Sequence, residues 1–212
     1  MDELDLLKKA WKKDTNSFEQ ISETEIYKML HKKSSSIVKL ILVISLLEFA
    51  VWALVNMLFN ADDAIKKLHA EGFSVYLKAL TYVNYAVVVF FIYCFYKNYT
   101  KISTITSTKQ LMKDILKTRR TVQYYVWYNL SMIFISTILG IIMAFVYNPK
   151  MDALKYRIAH ETNHQTLLIT VGISILISLV FVGFFWLIYK LLYGILLRKL
   201  QNNYKELKKI DL

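Results

Sequence analysis

Residues 37–59 read IVKLILVISLLEFAVWALVNMLF. A continuous helix of about twenty apolar residues crosses a hydrocarbon core of roughly 30 Å. No water is available there to bond the backbone, so a single span must be helical. Residues 73–96, 122–147 and 167–197 have the same character. The four runs together specify an all-α, polytopic membrane protein built as a four-transmembrane-helix bundle. A β-barrel would need many alternating segments of about ten residues, and the chain has none. Of its 212 residues 56% are hydrophobic and only six are Gly or Pro, which suits long helices.

The helix limits follow from local chemistry. The third run stops at Asn148-Pro149, because proline lacks the amide hydrogen and clashes with the preceding turn. The fourth is longer than a membrane requires, so it tilts or projects, and Lys190 can snorkel. Residues 36–197 form the transmembrane domain. Residues 1–35 precede it as a helical segment, 97–121 make the long loop, and 198–212 form a basic tail. The first 35 residues are polar and the first apolar run lacks a cleavage site, so the reading is of an uncleaved amino terminus.

The net charge of +11 is unevenly placed. Lys and Arg number eight in residues 1–39, seven in 97–120 and five in 198–212, against two in 60–72 and three in 148–166. Cytoplasmic loops carry such an excess, so both termini are expected inside. Aromatic residues agree with this. Tyr93, Tyr96 and Tyr99, then Tyr124, Tyr125, Trp127 and Tyr128, then Trp186, Tyr189 and Tyr193 are read as inner interface markers. Because the lysines flank the spans, they point to the bilayer and anionic headgroups as partners, and to no nucleic acid.

The polar segments carry amphipathic patterns. Leu4, Leu7 and Trp11 share a face beside a lysine cluster. Ser22 with Glu25 is a capping box, and Ile21 with Ile26 a hydrophobic staple. From Ser107 a helix is expected with Leu111, Met112, Ile115 and Leu116 on one side. Lys113, Lys117, Arg119 and Arg120, together with Arg198 and Lys199, form the expected cytoplasmic basic face, a surface for headgroups or a cytoplasmic protein partner.

One ionisable group lies deep in a span. Glu48 shares a helical stripe with Ser45, Trp52 and Asn56. A carboxyl at that depth is costly, so it should face the interior and have partners. Asn84 and Tyr85, at similar depth, are the expected ones. The functional reading is a proton or ligand site, and the bland one a structural bond between helices.

His160-Glu161-Thr162-Asn163-His164 matches HExxH, which on one helix aligns two imidazoles for zinc. No third protein ligand is apparent, and a solvated helix start is the plainer reading. His31 and His69 read as solvated. The lone Cys94 reads as a small apolar residue, and no metal or cofactor is expected. Ser136, Gly140 and Ala144 form a small-residue stripe, as do Thr170, Ser174 and Ser178. The two stripes are expected to pack on each other, with a homo-oligomer seam as the alternative.

The segments LLKKAWKK (6–13), YKMLHKKSSSIVKLI (27–41), LMKDILKTRRTVQYYVWYN (111–129) and LLYGILLRKLQNNYKELKKI (191–210) resemble a group of small bacterial four-span inner-membrane proteins. Some of these are labelled carotene-cleaving monooxygenase. The resemblance implies a bacterial cytoplasmic membrane and, under that label, an iron held by histidines. The four histidines here are expected on opposite sides of the bilayer, too far apart to share one metal. The leading expectation is therefore a non-enzymatic membrane adaptor or regulator working through its basic face. A small oligomeric transporter or channel using Glu48 is the alternative, and a metalloenzyme at residues 160–164 comes third.

Overall fold

The computed structural model describes residues 22–59, 65–66, 71–104, 107–160 and 164–210. Leu4, Leu7, Trp11, Ile21, His69 and Glu161 lie outside these described residues. Among the described residues five helices follow in order: α1 (Glu23–Leu58), α2 (Glu71–Thr104), α3 (Thr108–Tyr147), α4 (Asp152–His160) and α5 (Gln165–Ile210). Four of them, α1, α2, α3 and α5, are long and apolar enough to cross a membrane. The chain is an all-α, multi-pass membrane protein.

Each boundary has a cause. The Ser22 hydroxyl accepts from the Glu25 amide at 3.3 Å, and Glu23 and Glu25 place negative charge at the positive end of α1. α3 stops where expected. Asn148 is extended, its side chain accepts from the Lys150 amide at 3.0 Å, and Pro149 opens a 3-10 turn to Met151. Lys155 then reaches back to the Val146 carbonyl at 2.8 Å and to Asp152 at 3.0 Å. A cation on the last carbonyls of α3 complements its dipole and ties α4 to that end.

α1 packs beside α2 and α5, and α3 packs beside the same two, so α1 and α3 lie on a diagonal. On α1 the inward positions are Leu30, Ser34, Val38, Ile41 and Ser45, spaced 4, 4, 3 and 4. Tyr189, Tyr193, Leu196, Leu200, Asn203 and Leu207 continue a similar period on α5. A period near 3.5 keeps one seam facing its neighbours and sets a shallow crossing of about 20°. The opposite faces are apolar and exposed, such as Leu168, Leu176, Val180 and Leu191, as lipid-facing surfaces must be.

The helices do not end where their apolar runs end. α2 continues to Thr104 and α3 begins at Thr108, so the expected loop 97–121 is almost wholly helical. At this basic end the four helices close into a dry collar. Leu30, Ile102, Leu111, Ile115, Leu200 and Leu207 are all at most 2% exposed. The apolar side of the segment from Ser107 is thus spent inside the bundle and does not lie on a surface. Buried and half-buried polar pairs cross the same layer. Asn203 donates to the Ser34 hydroxyl at 3.0 Å, Asn98 to the Thr121 hydroxyl at 3.5 Å, and Arg119 to the Gln201 amide oxygen. Asn203→Ala is expected to lower stability by about 1–2 kcal/mol, since it leaves the buried Ser34 without its partner. Unfolding in mixed micelles measures this, and an unchanged midpoint would remove the pair from the stabilising set.

Two expectations about the spans are corrected. Ser136 and Gly140 are exposed, and a methyl added at Gly140 would meet open space, so these two positions of the α3 stripe are not packed on α5, while Ala144 is half-buried. The α5 stripe does turn inward. Its hydroxyls bond the carbonyl four residues back, and Ser178 is fully buried. His31 is half-buried beside Tyr27, with Nε2 buried and unpartnered among the described residues, so it is not freely solvated.

Candidate functional site

The inward stripe of α1 passes from the collar to Glu48, where the bundle stops being close-packed. Three tyrosine hydroxyls converge on that carboxyl. Tyr125 of α3 donates to Oε2 at 2.8 Å, Tyr193 of α5 donates to Oε2 at 3.2 Å, and Tyr189 of α5 donates to Oε1. Tyr125 and Tyr193 are each 1% exposed and Tyr189 4%. Their rings are pinned. Tyr125 meets Phe91 and Phe95 edge-on at 5.4 Å and Tyr193 at 5.8 Å, while Tyr189 and Tyr193 stack at 6.0 Å. The hydroxyls are therefore aimed by packing, which lowers the entropic cost of the cluster.

Above the cluster lies a cavity of about 430 Å³, lined by all four long helices. Glu48 and Tyr189 form its floor with Tyr125. Phe49 meets Tyr85 edge-on at 5.8 Å, and Trp52 lies 6.0 Å from Phe185. Trp52, Asn56, Thr81 and Phe181 are exposed and mark where it opens. Towards the collar it is closed by Val38, Ile41, Phe95 and Val122, all fully buried. The opening follows from unequal helix lengths. Beyond Glu48, α1 runs about ten more residues, roughly 15 Å. Beyond Tyr125 and Tyr189, α3 and α5 run more than twenty, roughly 33–36 Å. The α3–α5 hairpin thus extends past the end of α1.

Glu48, Asn56, Asn84 and Tyr85 all line this one cavity. The expected bonding among them is corrected. Asn84 accepts instead from the Tyr128 hydroxyl at 3.2 Å, Asn56 donates to the Trp52 carbonyl at 2.9 Å, and Tyr85 packs on Phe49. The true partners were read from sequence as interface aromatics. A finer reading separates them. Tyr124 and Trp127 are 66% and 67% exposed, whereas Tyr125 shares the inward stripe of Val122. Tyr189 and Tyr193 lie four residues apart on the same stripe as Phe185.

The remaining candidates separate in space. Lys113, Lys117, Arg120, Arg198 and Lys199 are exposed around the collar, and Arg119 is half-buried against Gln201. The HExxH segment is not one helix. α4 ends at His160, whose Nδ1 lies 2.9 Å from the Tyr156 carbonyl and whose ring stacks on Tyr156 at 4.0 Å. His164 has φ of 50°, a left-handed backbone that breaks the helical register before α5 starts. The two imidazoles therefore lack the shared helical face that zinc binding by this motif uses. Among the described residues no three of His, Cys, Asp or Glu gather as a ligand set. His31 sits in the collar and His160 at the far end, so these two cannot meet at one iron.

No curated protein and no solved structure matches the chain. Residues 24–212 match the family model described as Domain of unknown function (DUF8845). The match spans both the cavity and the collar, and the chain belongs to the DUF8845 family.

Proposed function

We propose that this chain is a non-enzymatic membrane protein that takes a small molecule into the Glu48 cavity from the end opposite the collar. The observation that carries this reading is a carboxyl met by three pinned tyrosine hydroxyls on the floor of an open cavity of about 430 Å³. A structural bond between two helices would need one partner and no space. Pockets of a few hundred Å³ with apolar walls and a few convergent polar groups are the usual form of a ligand site. Closure at the collar supports a carrier or receptor over a continuous pore.

The test is native mass spectrometry of the full chain extracted from its own membranes. A small molecule should co-purify with the wild type and be lost from Thr137→Trp, which fills the cavity from α3. Identical bound masses in both would count against the cavity as the site.

A second reading, a membrane adaptor or regulator, rests on the exposed cations of the collar. In this reading the basic end faces the cytoplasm of a bacterium, beside an anionic leaflet. Each Lys or Arg near such a surface contributes about 1 kcal/mol. Changing Lys113, Lys117, Arg120, Arg198 and Lys199 to Gln should cut the anionic share of retained lipid several-fold, as lipid mass spectrometry would show. An unchanged share would argue against headgroup binding. The orientation has its own check in intact cells on a Cys94→Ser background. Cysteine at Lys150 should react with an impermeant maleimide and cysteine at Lys209 should not, and the reverse pattern would invert the topology.

A further inference from the structure

We infer that the Glu48 cavity takes a monovalent organic cation with an aromatic or quaternary apolar body. The inference rests on the ligand-binding reading of this cavity and narrows it to a chemical class.

The lining offers several acceptor oxygens beside the carboxyl. Thr81 and Thr137 spend their hydroxyl protons on the Leu77 and Ile133 carbonyls at 2.9 and 2.7 Å. Asn56 and Asn129 each spend an amide hydrogen on the Trp52 and Tyr125 carbonyls, both at 2.9 Å. Their oxygens remain as acceptors. The tyrosine hydroxyls of the floor are likewise committed to Glu48. Asn56 and Asn129 each keep a second amide hydrogen, so the amides suit donors and acceptors alike, and the sign of the guest's charge is set by Glu48.

Glu48 retains capacity. A carboxylate offers about four lone-pair positions. Tyr125 and Tyr193 occupy Oε2, and Tyr189 takes one position on Oε1, which leaves one on Oε1. Among the described residues it is the only Asp, Glu, Lys or Arg lining the cavity. Lys190, next to the lining residue Tyr189, is exposed, with Nζ 4.6 Å from the centre of the Trp186 ring. Among the described residues no lysine or arginine of the lining competes for the carboxyl, so a cationic guest would supply the counter-charge that the ionised form lacks in a low-dielectric site.

The walls complete the chemistry. Phe49, Trp52, Tyr85, Phe181 and Phe185 surround the space above the carboxyl. Aromatic faces attract a cation through their quadrupole, most strongly when it is desolvated, and such walls recognise quaternary ammonium groups. An alkali ion would keep its water and gain little from these rings. An aromatic or quaternary ammonium sheds its weak hydration and fills the volume.

The experiment uses the purified full chain in detergent. Equilibrium dialysis follows labelled benzyltrimethylammonium and, separately, its uncharged carbon isostere neopentylbenzene, each with excess unlabelled competitor. Saturable cation binding is expected, weakened at least tenfold in Glu48→Gln and several-fold in Phe185→Leu, which leaves the tyrosine cluster intact. Glu48→Gln within twofold of wild type would overturn the inference. If the isostere binds saturably and the cation does not, the cavity is a ligand site of another class and only this inference falls. Saturable binding of neither probe overturns the inference together with the ligand-binding reading.

Discussion

Glu48→Leu is expected to destabilise the folded chain by about 2–4 kcal/mol, although it removes a carboxyl from a membrane interior. Leucine is the better guest for hydrocarbon, but lipid already solvates it in the unfolded chain, so its burial in the bundle gains packing and no transfer from water. Three hydroxyls outweigh that packing. Tyr125, Tyr189 and Tyr193 all lose their acceptor, and their rings are held by Phe91, Phe95 and one another. Each buried unsatisfied group costs about 1–3 kcal/mol. Hydrogen bonds inside membrane bundles measure lower, about 0.6 kcal/mol on average, because the unfolded state in lipid also finds partners. Three donors aimed at one acceptor sit at the upper end of that range, since no single rotation rescues them. Glu48→Gln keeps one acceptor oxygen and should cost about 1 kcal/mol. Reversible unfolding in mixed micelles gives both values, and a Glu48→Leu chain as stable as wild type would mean that the three hydroxyls do not depend on Glu48.

The same cluster shows what the sequence could and could not convey. Hydropathy alone located four spans, and Asn148-Pro149 ended α3 where the backbone does turn. Ser45, Glu48, Trp52 and Asn56 were legible as one stripe because a helix repeats every 3.6 residues whatever surrounds it. The partners of Glu48 were not legible. Tyrosine has an apolar ring and a polar tip, so the same residue suits a headgroup belt or a buried carboxyl. Only the phase of Tyr125 against Tyr124 separates these fates, and phase across helices depends on how they are packed. HExxH was ambiguous for a related reason. The motif presupposes a continuous helix, and the left-handed backbone at His164 is a local choice that no letter in it demands. The collar was half legible. Leu111 and Ile115 announced an amphipathic helix, but only the neighbouring Leu30, Leu200 and Leu207 decide whether its apolar side meets lipid or protein.

Ending the chain after Arg198 is expected to unfold the collar and leave the spans in place. The deletion removes Leu200 and Leu207, both fully buried, and Asn203, which bonds Ser34. Loss of each leucine costs about 2–5 kcal/mol in transfer and cavity terms, and the orphaned Ser34 adds roughly 1. The sum, about 5–11 kcal/mol, rivals the whole stability of an ordinary domain, about 5–15 kcal/mol. Residues 23–36 and 108–120 would lose their cover together, because the collar core is shared by all four helices. Beyond the Glu48 layer the spans bury none of these residues, and their backbones stay bonded within lipid. Amide exchange should therefore rise by orders of magnitude in 23–36 and 108–120 and stay near wild type in 130–145. Uniform protection in the truncated chain would show that α5 beyond Arg198 carries no structural role. The expected outcome also changes how a missing partner must be read. A truncation that releases a bound protein reports on a collapsed collar as much as on a lost contact. The five exposed cations can be changed to Gln without touching Leu30, Ile115 or Leu207. Those variants, not the deletion, separate a basic docking face from a charged rim that only orients the bundle.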